Sequence, residues 1–490
     1  MIGPTPSPAP IYVPLDADPE LQKDWMIIRF DEANWHLSDD RDYYLSKRRP
    51  EAIGIAVPKE MEKLLAHVGY PRLYVDAISE RLQIEGFRLG SQTDADEDLW
   101  DWWQANNLDV QAPLGFTDAL VYGRSYITVS APDPDDPTAD PKVPVICVEP
   151  PSRLWADIDP RTRKVIRAIR VVRDYRPGYP HQVIAATLYL PNETYYWTVQ
   201  AIGGLKLTDH VVHDIGVVPV IPMLNQTSLA DLNGTSQITP EIRAVTDAAA
   251  RILMDMQGAA ELMAIPQRLL FGVNPQDIGV DPTTGNSQYD AYMARILAFA
   301  DPEGSATQFA AAELQNFVSA LDQLDKKAAA YTGLPPQYLS VQSDNPASAE
   351  AIKASESRLV MHCERKATLY GGAWEDAMRV AYLVMNPGKI PPDYLRLESI
   401  WQDPSTPTYA AKADAATKLY ANGMGVIPRE QARIDMGYTV EQRLEMKEWD
   451  KEESPAIQLA GMMNPSSQPS SGGSKSAASP TETVDKSPLS

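Results

Sequence analysis

The stretch QSDNPASAEAIKASESR, Gln342 to Arg358, decides how this chain is read. Its first six residues are small, polar and marked by a proline, which suits a solvent loop and not a core. From Ala347 the pattern turns helical and stays so to about Met385, roughly ten turns of helix. A polar loop at the mouth of a long rigid helix suggests an element that reaches, slides or grips.

Upstream, Ala311 to Tyr331 predicts an amphipathic helix, with Leu314, Phe317, Leu321, Leu324 and Ala328 on one face. Gly333, Pro335 and Pro336 end it. Before it, residues 266–310 read as a small mixed module. A strand at Arg268 to Val273 and another near Arg295 to Phe299 flank a Gly/Pro/Asp/Asn-rich loop at 274–288. A further helix leads into this module. Thr239 suits the N-cap, Pro240 the first helical position and Glu241 the helix dipole. Ile242, Val245, Ile252, Met256 and Met263 recur at helical spacing until Pro266. Arg243, Asp247, Arg251 and Asp255 alternate in sign every four residues on this helix. They form either a ladder of i,i+4 pairs or a solvated stripe.

Downstream, Pro387, Pro391 and Pro392 break the chain. Helices are expected over Pro404–Asn422 and Pro428–Lys447, on either side of a Gly423–Gly425 turn. The tail from Asn464 is Ser/Pro/Gly-rich and is expected to be disordered.

The front of the chain opens on a Pro-rich arm. Helices are predicted over Leu21–Ser46, Pro58–Ala66, Tyr70–Arg81, Asp94–Asn107 and Asp109–Tyr122, the last closed by Gly123. From Ser125 the runs SYITVSA, VPVICVEP, LWADID, VIRAIRVVRDY, QVIAATLYL and TYYWTVQ are β-branched or aromatic and separated by turn residues. They predict an antiparallel sheet over about 125–225, with a hairpin at Tyr196–Asp209 turning at Gly203 and Gly204. The fold class is α+β.

Composition bounds the function. The 490 residues, 44% hydrophobic, allow two to four domains. A net charge of −22 argues against a sequence-reading nucleic-acid binder, which needs a basic patch. It does not argue against a protein that nucleic acid passes without sticking. Cys147 and Cys363 read as buried thiols of a reducing compartment. No apolar run approaches ~18 residues, so no membrane span is expected. The N-terminal MIGPTPSPAPIYVP lacks the basic and apolar regions of a signal peptide.

Chemistry is sparse. P-loop, H-E-x-x-H, G-x-S-x-G and C-x-x-C motifs are all missing. His210 and His213 lie three apart beside Asp209 and Asp214, but on a strand that offset puts them on opposite faces. The acidic groups Asp39/Asp40, Asp94/Asp96/Glu97/Asp98 and Asp133/Asp135/Asp136 fall in loops and helix starts, where a solvated role outweighs a two-metal nuclease. Trp100, Trp102 and Trp103 without nearby cations read as packing, not as a stacking platform for single strands. Met254, Met256 and Met263 likewise read as packing. Catalytic, cofactor-binding and metal residues are therefore expected to be none.

Five segments in this order resemble the portal proteins of tailed bacteriophages, in the family of long-tailed phages of Gram-positive and actinobacterial hosts. They are Tyr70–Arg88, Gly123–Val129, Thr239–Met256, Gly333–Val360 and Ala410–Thr439. The resemblance implies a portal fold: an α/β wing, a two-helix stem, a small β-containing clip, a long helix after a tunnel loop, and a helical crown. Placed on this chain, 1–24 is the arm, 25–235 the wing, 236–265 and 311–332 the stem helices and 266–310 the clip. Residues 333–347 are the tunnel-loop region, 348–399 the long helix, 400–460 the crown and 461–490 the tail.

It implies a non-enzymatic ring of twelve copies at one capsid vertex, assembled in the host cytoplasm and carried in the virion. Double-stranded DNA passes through the ring in packaging and ejection. The implied partners are the terminase large subunit, the head–tail adaptor, the major capsid protein and a scaffold protein, with no cofactor and no membrane. Gln342, Ser343, Asp344, Asn345, Pro346 and Ala347 would face DNA, with Lys353 and Arg358 the nearest cations. Asn274, Asp277, Asp281, Asn286 and Gln288 would meet partners at the clip. The alternatives are another structural head or adaptor protein, and a metal-dependent nuclease built on the acidic clusters.

Overall fold

The computed structural model describes residues 12–48, 67–90, 95–176, 182–200, 204–264, 268–271, 296–299, 314–339, 349–405, 409–420, 426–438 and 440–452. The expected helix at Pro58–Ala66 and the expected disordered tail lie outside them. The chain divides into two compact units, Met1–Pro407 and Thr408–Ser490.

In the first unit, α1 (Pro19–Asn34) and α2 (Leu37–Tyr44) are followed by α3 (Tyr70–Ser79), β1 (Ile84–Arg88), α4 (Glu97–Ala105) and α5 (Leu108–Tyr122). Asp96 caps α4 by accepting from the Leu99 N–H at 3.1 Å. Gly123 ends α5 at φ 85°, the left-handed conformation in which a helix commonly stops.

The expected single sheet region is two sheets. β2 (Arg124–Ser130), β3 (Val145–Glu149) and β9 (Val220–Leu224) form an antiparallel sheet in the order β3-β2-β9. β4 (Leu154–Ile158), β5 (Val165–Arg173), β6 (Val183–Tyr189), β7 (Glu193–Val199) and β8 (Leu205–Val212) form a five-stranded antiparallel meander. The split follows from burial. Leu154, Ala156 and Ala168 of the meander pack against Tyr126, Val218 and Val220 at the other sheet. The meander's other cluster, Trp155, Ile169, Val171, Leu188 and Trp197, is covered by Met26 and Phe30 of α1. The edge of β3 is closed by side chains: Ile146 N–H donates to Asn106 Oδ1 at 2.9 Å and Val148 N–H to Gln111 Oε1 at 3.0 Å.

Helix α6 (Pro240–Ala264) leads out toward two short strands, β10 (Arg268–Phe271) and β11 (Ile296–Phe299), which pair in parallel. Helix α7 (Gln315–Thr332) follows. Leu321 and Leu324 of α7 pack with Ala249, Ala250 and Leu253 of α6. Helix α8 (Ala349–Met385) then runs 37 residues. Its Leu359, Cys363, Tyr370, Trp374, Ala377, Met378 and Ala381 are buried at helical spacing in the largest core, against α3, α4, α5 and β2. Each large side chain there contributes about 2 kcal/mol of burial, which makes α8 the spine of the unit. Strand β12 (Glu398–Trp401) closes it by pairing antiparallel with β1.

The second unit holds α9 (Tyr409–Tyr420), α10 (Arg429–Met436) and α11 (Val440–Glu452). The expected single helix over Pro428–Lys447 is two, because Gly437 takes φ 86° between them. Arg429 and Arg433 both reach Asp450, at 2.7 and 2.8 Å, and tie the pieces together.

Candidate channel-loop site and its supports

The expected channel-facing residues, Gln342 to Ala347, lie outside the described residues. So do Asn274, Asp277, Asp281, Asn286 and Gln288 of the expected partner contact, and the side chain of Lys353. The roots of the loop are described on both sides.

Helix α7 stops at Gly333, φ 72°, whose N–H donates to the Ala329 carbonyl at 2.9 Å. A 3₁₀ turn over Pro336–Tyr338 follows. Tyr338 Oη donates to Glu356 Oε1, two turns into α8, at 2.7 Å. Arg81, just after α3, donates Nη2 to Tyr338 Oη at 2.8 Å and stands 3.7 Å from Glu356. Gln337 Nε2 donates to Ser355 Oγ at 3.1 Å. Burial, and then the bond to Glu356, push the Tyr338 phenol above its ordinary value. The loop's two ends are therefore pinned to one point beside α3. A charge-assisted, largely buried bond resists displacement better than a surface pair.

Arg358 has local work. Its Nη1 donates to the Ala330 carbonyl at 3.2 Å, and its side chain lies against Gly333. A cation over the last carbonyls of α7 suits the negative end of that helix.

A second support sits deeper on α8. Asn225 Oδ1 accepts from Lys366 Nζ and, at 3.4 Å, from Tyr370 Oη. Its Nδ2 donates to the Thr235 carbonyl at 2.7 Å and to Gln237 Oε1 at 3.3 Å. Gln237 Nε2 donates to Tyr74 Oη at 2.5 Å. This node joins the loop-bearing helix to α3 and to the segment that enters α6. Burial, and secondarily the nearby Arg365, press the Lys366 ammonium down to about 8. The folded state therefore disfavours the charged form. The penalty is full below about pH 8 and fades as pH rises from there to the ordinary lysine value of 10.5. Lys366→Met should relieve this penalty at pH 7, offset in part by the lost bond to Asn225, for a net gain of about 1 kcal/mol. Thermal melts should show wild type gaining stability between pH 8 and 10 while the variant stays level. A variant less stable than wild type at pH 7 would refute the argument.

A third support fixes the base of α6. Arg243 donates Nη1 to Asp39 at 2.8 Å and Nη2 to Asp40, both on α2, and Nε to the Ile238 carbonyl at 3.0 Å. Its guanidinium lies 5.0 Å from the Tyr43 ring centre. Tyr43 Oη donates to Asp247 at 3.0 Å. The first two members of the alternating series thus face α2 and not each other. An i,i+4 ladder would have left the base of α6 unattached.

The remaining sequence candidates have structural places. Trp103 is buried against Phe87 and Trp374, 4.7 Å between ring centres for the latter, and Trp100 stacks on it. His210 stacks on Tyr195 and stands 3.3 Å from Glu193, whereas His213 lies past the end of β8. Asp133 and Asp136 accept from the N–H groups of Asp135 and Thr138 in their own turns. Among the described residues no group of three His, Cys, Asp or Glu is arranged to hold a metal ion. Among them too, no helix is long and apolar enough to cross a membrane. Both cysteines are free, and burial pushes the Cys363 thiol up to about 11.

Residues 24–459 match the family described as phage portal protein, SPP1 Gp6-like. The chain belongs to the phage portal protein family. The portal protein of Mycobacterium phage D29 is 60% identical over 449 residues, 91% of this chain and 92% of that one. The portal protein of Mycobacterium phage L5 is 60% identical over 448 residues, 91% of each chain. A chain from the neck of a native GTA particle, computed with C12 symmetry, aligns over 82% of this portal chain and 93% of its own length. Its identity is 13% and its TM-score 0.38. As a portal protein the chain is a structural part of the phage head–tail connector. The loop-root clamp of Arg81, Tyr338 and Glu356 had no signature in the sequence, because Arg81 lies 257 residues before Tyr338.

Proposed function

We propose that this portal chain forms a closed ring of twelve at one capsid vertex, through which double-stranded DNA enters during packaging and leaves during ejection. The family match over residues 24–459 carries the reading. The segment 340–347 between α7 and α8 is the tunnel loop, and it reaches into the channel from pinned roots. The module between α6 and α7 meets the terminase large subunit and later the head–tail adaptor. Major capsid and scaffold proteins surround the ring at assembly in the host cytoplasm.

The charge supports a conduit. A net −22 per chain, multiplied around a ring, repels phosphates and avoids the counterion-release affinity that would hold DNA in place. Gln342, Ser343, Asn345 and Ser348 offer polar contacts, and residues 340–348 contain no Lys or Arg. The loop therefore touches DNA by sterics and hydrogen bonds and binds it weakly.

The test is assembly. The protein co-expressed with its capsid proteins should yield particles twelve times the 54.1 kDa chain mass, seen as rings with a central hole in electron micrographs. A species that stays monomeric under those conditions would overturn the reading.

A further inference from the structure

Two surfaces of this chain complement each other in chemistry but do not meet within one copy. The first is a groove of about 550 Å³ between α8 and the β9 side of the three-stranded sheet. Val217, Val220 and Pro222 form one wall, and Leu369, Val380 and Leu383 the other. Arg163 and Lys164, from the β4–β5 turn, stand at its rim. Arg161 shares that turn, and all three side chains are exposed. The turn's own acid, Asp159, accepts from the N–H groups of Arg161 and Thr162 at 3.0 and 3.2 Å and stays charged, so three cations stand against one carboxylate, and the groove's Asp376 is paired with Arg379 at 2.6 Å. The rim is therefore a basic spot on an acidic protein.

The second surface is the β2–β3 loop, PDPDDPTADPKVP, Pro132 to Pro144. Five prolines alternate with Asp133, Asp135, Asp136 and Asp140. Asp133, Asp136 and Asp140 each accept a backbone N–H two residues on, at 2.8 to 2.9 Å, which preshapes the loop. Residues 133–138 are exposed, and none of the loop lines the groove of its own chain.

Proline rings on a preshaped backbone suit an apolar groove, because little chain entropy is lost on docking. Aspartates between them suit a basic rim. A contact that uses two different patches is heterologous, and heterologous contacts between identical copies close into rings when the rotation allows. We propose that the Pro132–Pro144 loop of one copy docks in the groove of the next, with Asp135 and Asp136 meeting Arg163 and Lys164. This inference rests on the ring reading and names a contact that closes the ring.

Charge exchange tests it. Arg163→Glu with Lys164→Glu should lower the ring fraction at least tenfold in native mass spectrometry at fixed protein concentration. Asp135→Lys with Asp136→Lys should do the same, and the four changes together should restore rings. Asp135→Cys with Lys164→Cys gives a second route that leaves the loop intact. Mild oxidation should produce a ladder of covalent oligomers that neither single-cysteine variant gives. Rings unaffected by either reversal, or a double-cysteine protein that stays monomeric on denaturing gels, would overturn the docking while leaving the ring reading in place. Wild type that forms no ring beside its capsid proteins overturns both.

Discussion

Gly234→Ala should prevent this protein from accumulating folded. A Cβ built on Gly234 would stand 1.8 Å from the Gly123 carbonyl oxygen and 3.3 Å from the Asn225 nitrogen. Both obstacles are backbone, so no rotamer change can relieve them. Gly123 cannot move away. It sits at φ 85° where α5 turns into β2, and its carbonyl accepts the Asn225 N–H at 2.8 Å. Thr235 N–H in turn donates to the Asn225 carbonyl at 3.0 Å. The crossing thus anchors the node that holds Lys366 and Tyr370 of the long helix. Gly234 itself has φ 77°, where any Cβ adds about 1 kcal/mol of strain. The total cost should exceed about 4 kcal/mol, which is the range of severe core lesions. Gly216 provides the control: its φ is 75°, but nothing lies within 4 Å of its would-be Cβ. Gly216→Ala should cost only the strain. Denaturant midpoints that put the two variants together would defeat the argument.

That crossing also marks where sequence reasoning stops. Local punctuation was legible: Gly123 ends α5, Thr239 and Pro240 open α6, and Gly333 ends α7. These signals act within one turn of chain, so a single sequence carries them. The β1–β12 pair was not legible, because Ile84–Arg88 and Glu398–Trp401 are short and each makes sense only beside the other. The two-sheet split was hidden for a related reason. Alternation tells which side chains are buried, but not against which layer. Gly437 divides a helix whose apolar pattern runs on past it, and its positive φ is a property of the backbone. At the candidate site the clamp depends on Arg81, and the base of α6 depends on Asp39 and Asp40, some two hundred residues before Arg243. Sequence spacing could propose only what a single helix supplies, so it offered Arg243 either Asp247 or solvent.

Arg243→Met should destabilise the protein by about 3–5 kcal/mol, because it strands a buried carboxylate. Asp40 is 1% exposed. One of its oxygens is held by Arg243; the other, Oδ2, has no hydrogen-bond partner, and His36 Nε2 is 3.7 Å from it. Burial already raises the Asp40 carboxyl above its ordinary 3.8, and Arg243 is the chief force against that rise. Removing the guanidinium lets desolvation act unopposed, so the folded value climbs further. The sign follows from linkage. With the folded value above the unfolded one, the folded state binds the proton more readily, and stability falls as pH rises through the window that starts at 3.8. The defect of Arg243→Met should therefore be small in acid and largest near neutrality. Asp40→Asn in the same background should recover more than half of the loss, since an amide needs no counter-charge. Unfolding free energies of the two single variants and the double at pH 7 test this directly. Equal losses in Arg243→Met with and without Asp40→Asn would mean that Arg243 acts through Asp39, the Ile238 carbonyl or the Tyr43 ring. The attachment of α6 to α2 would then rest on packing and not on the buried charge.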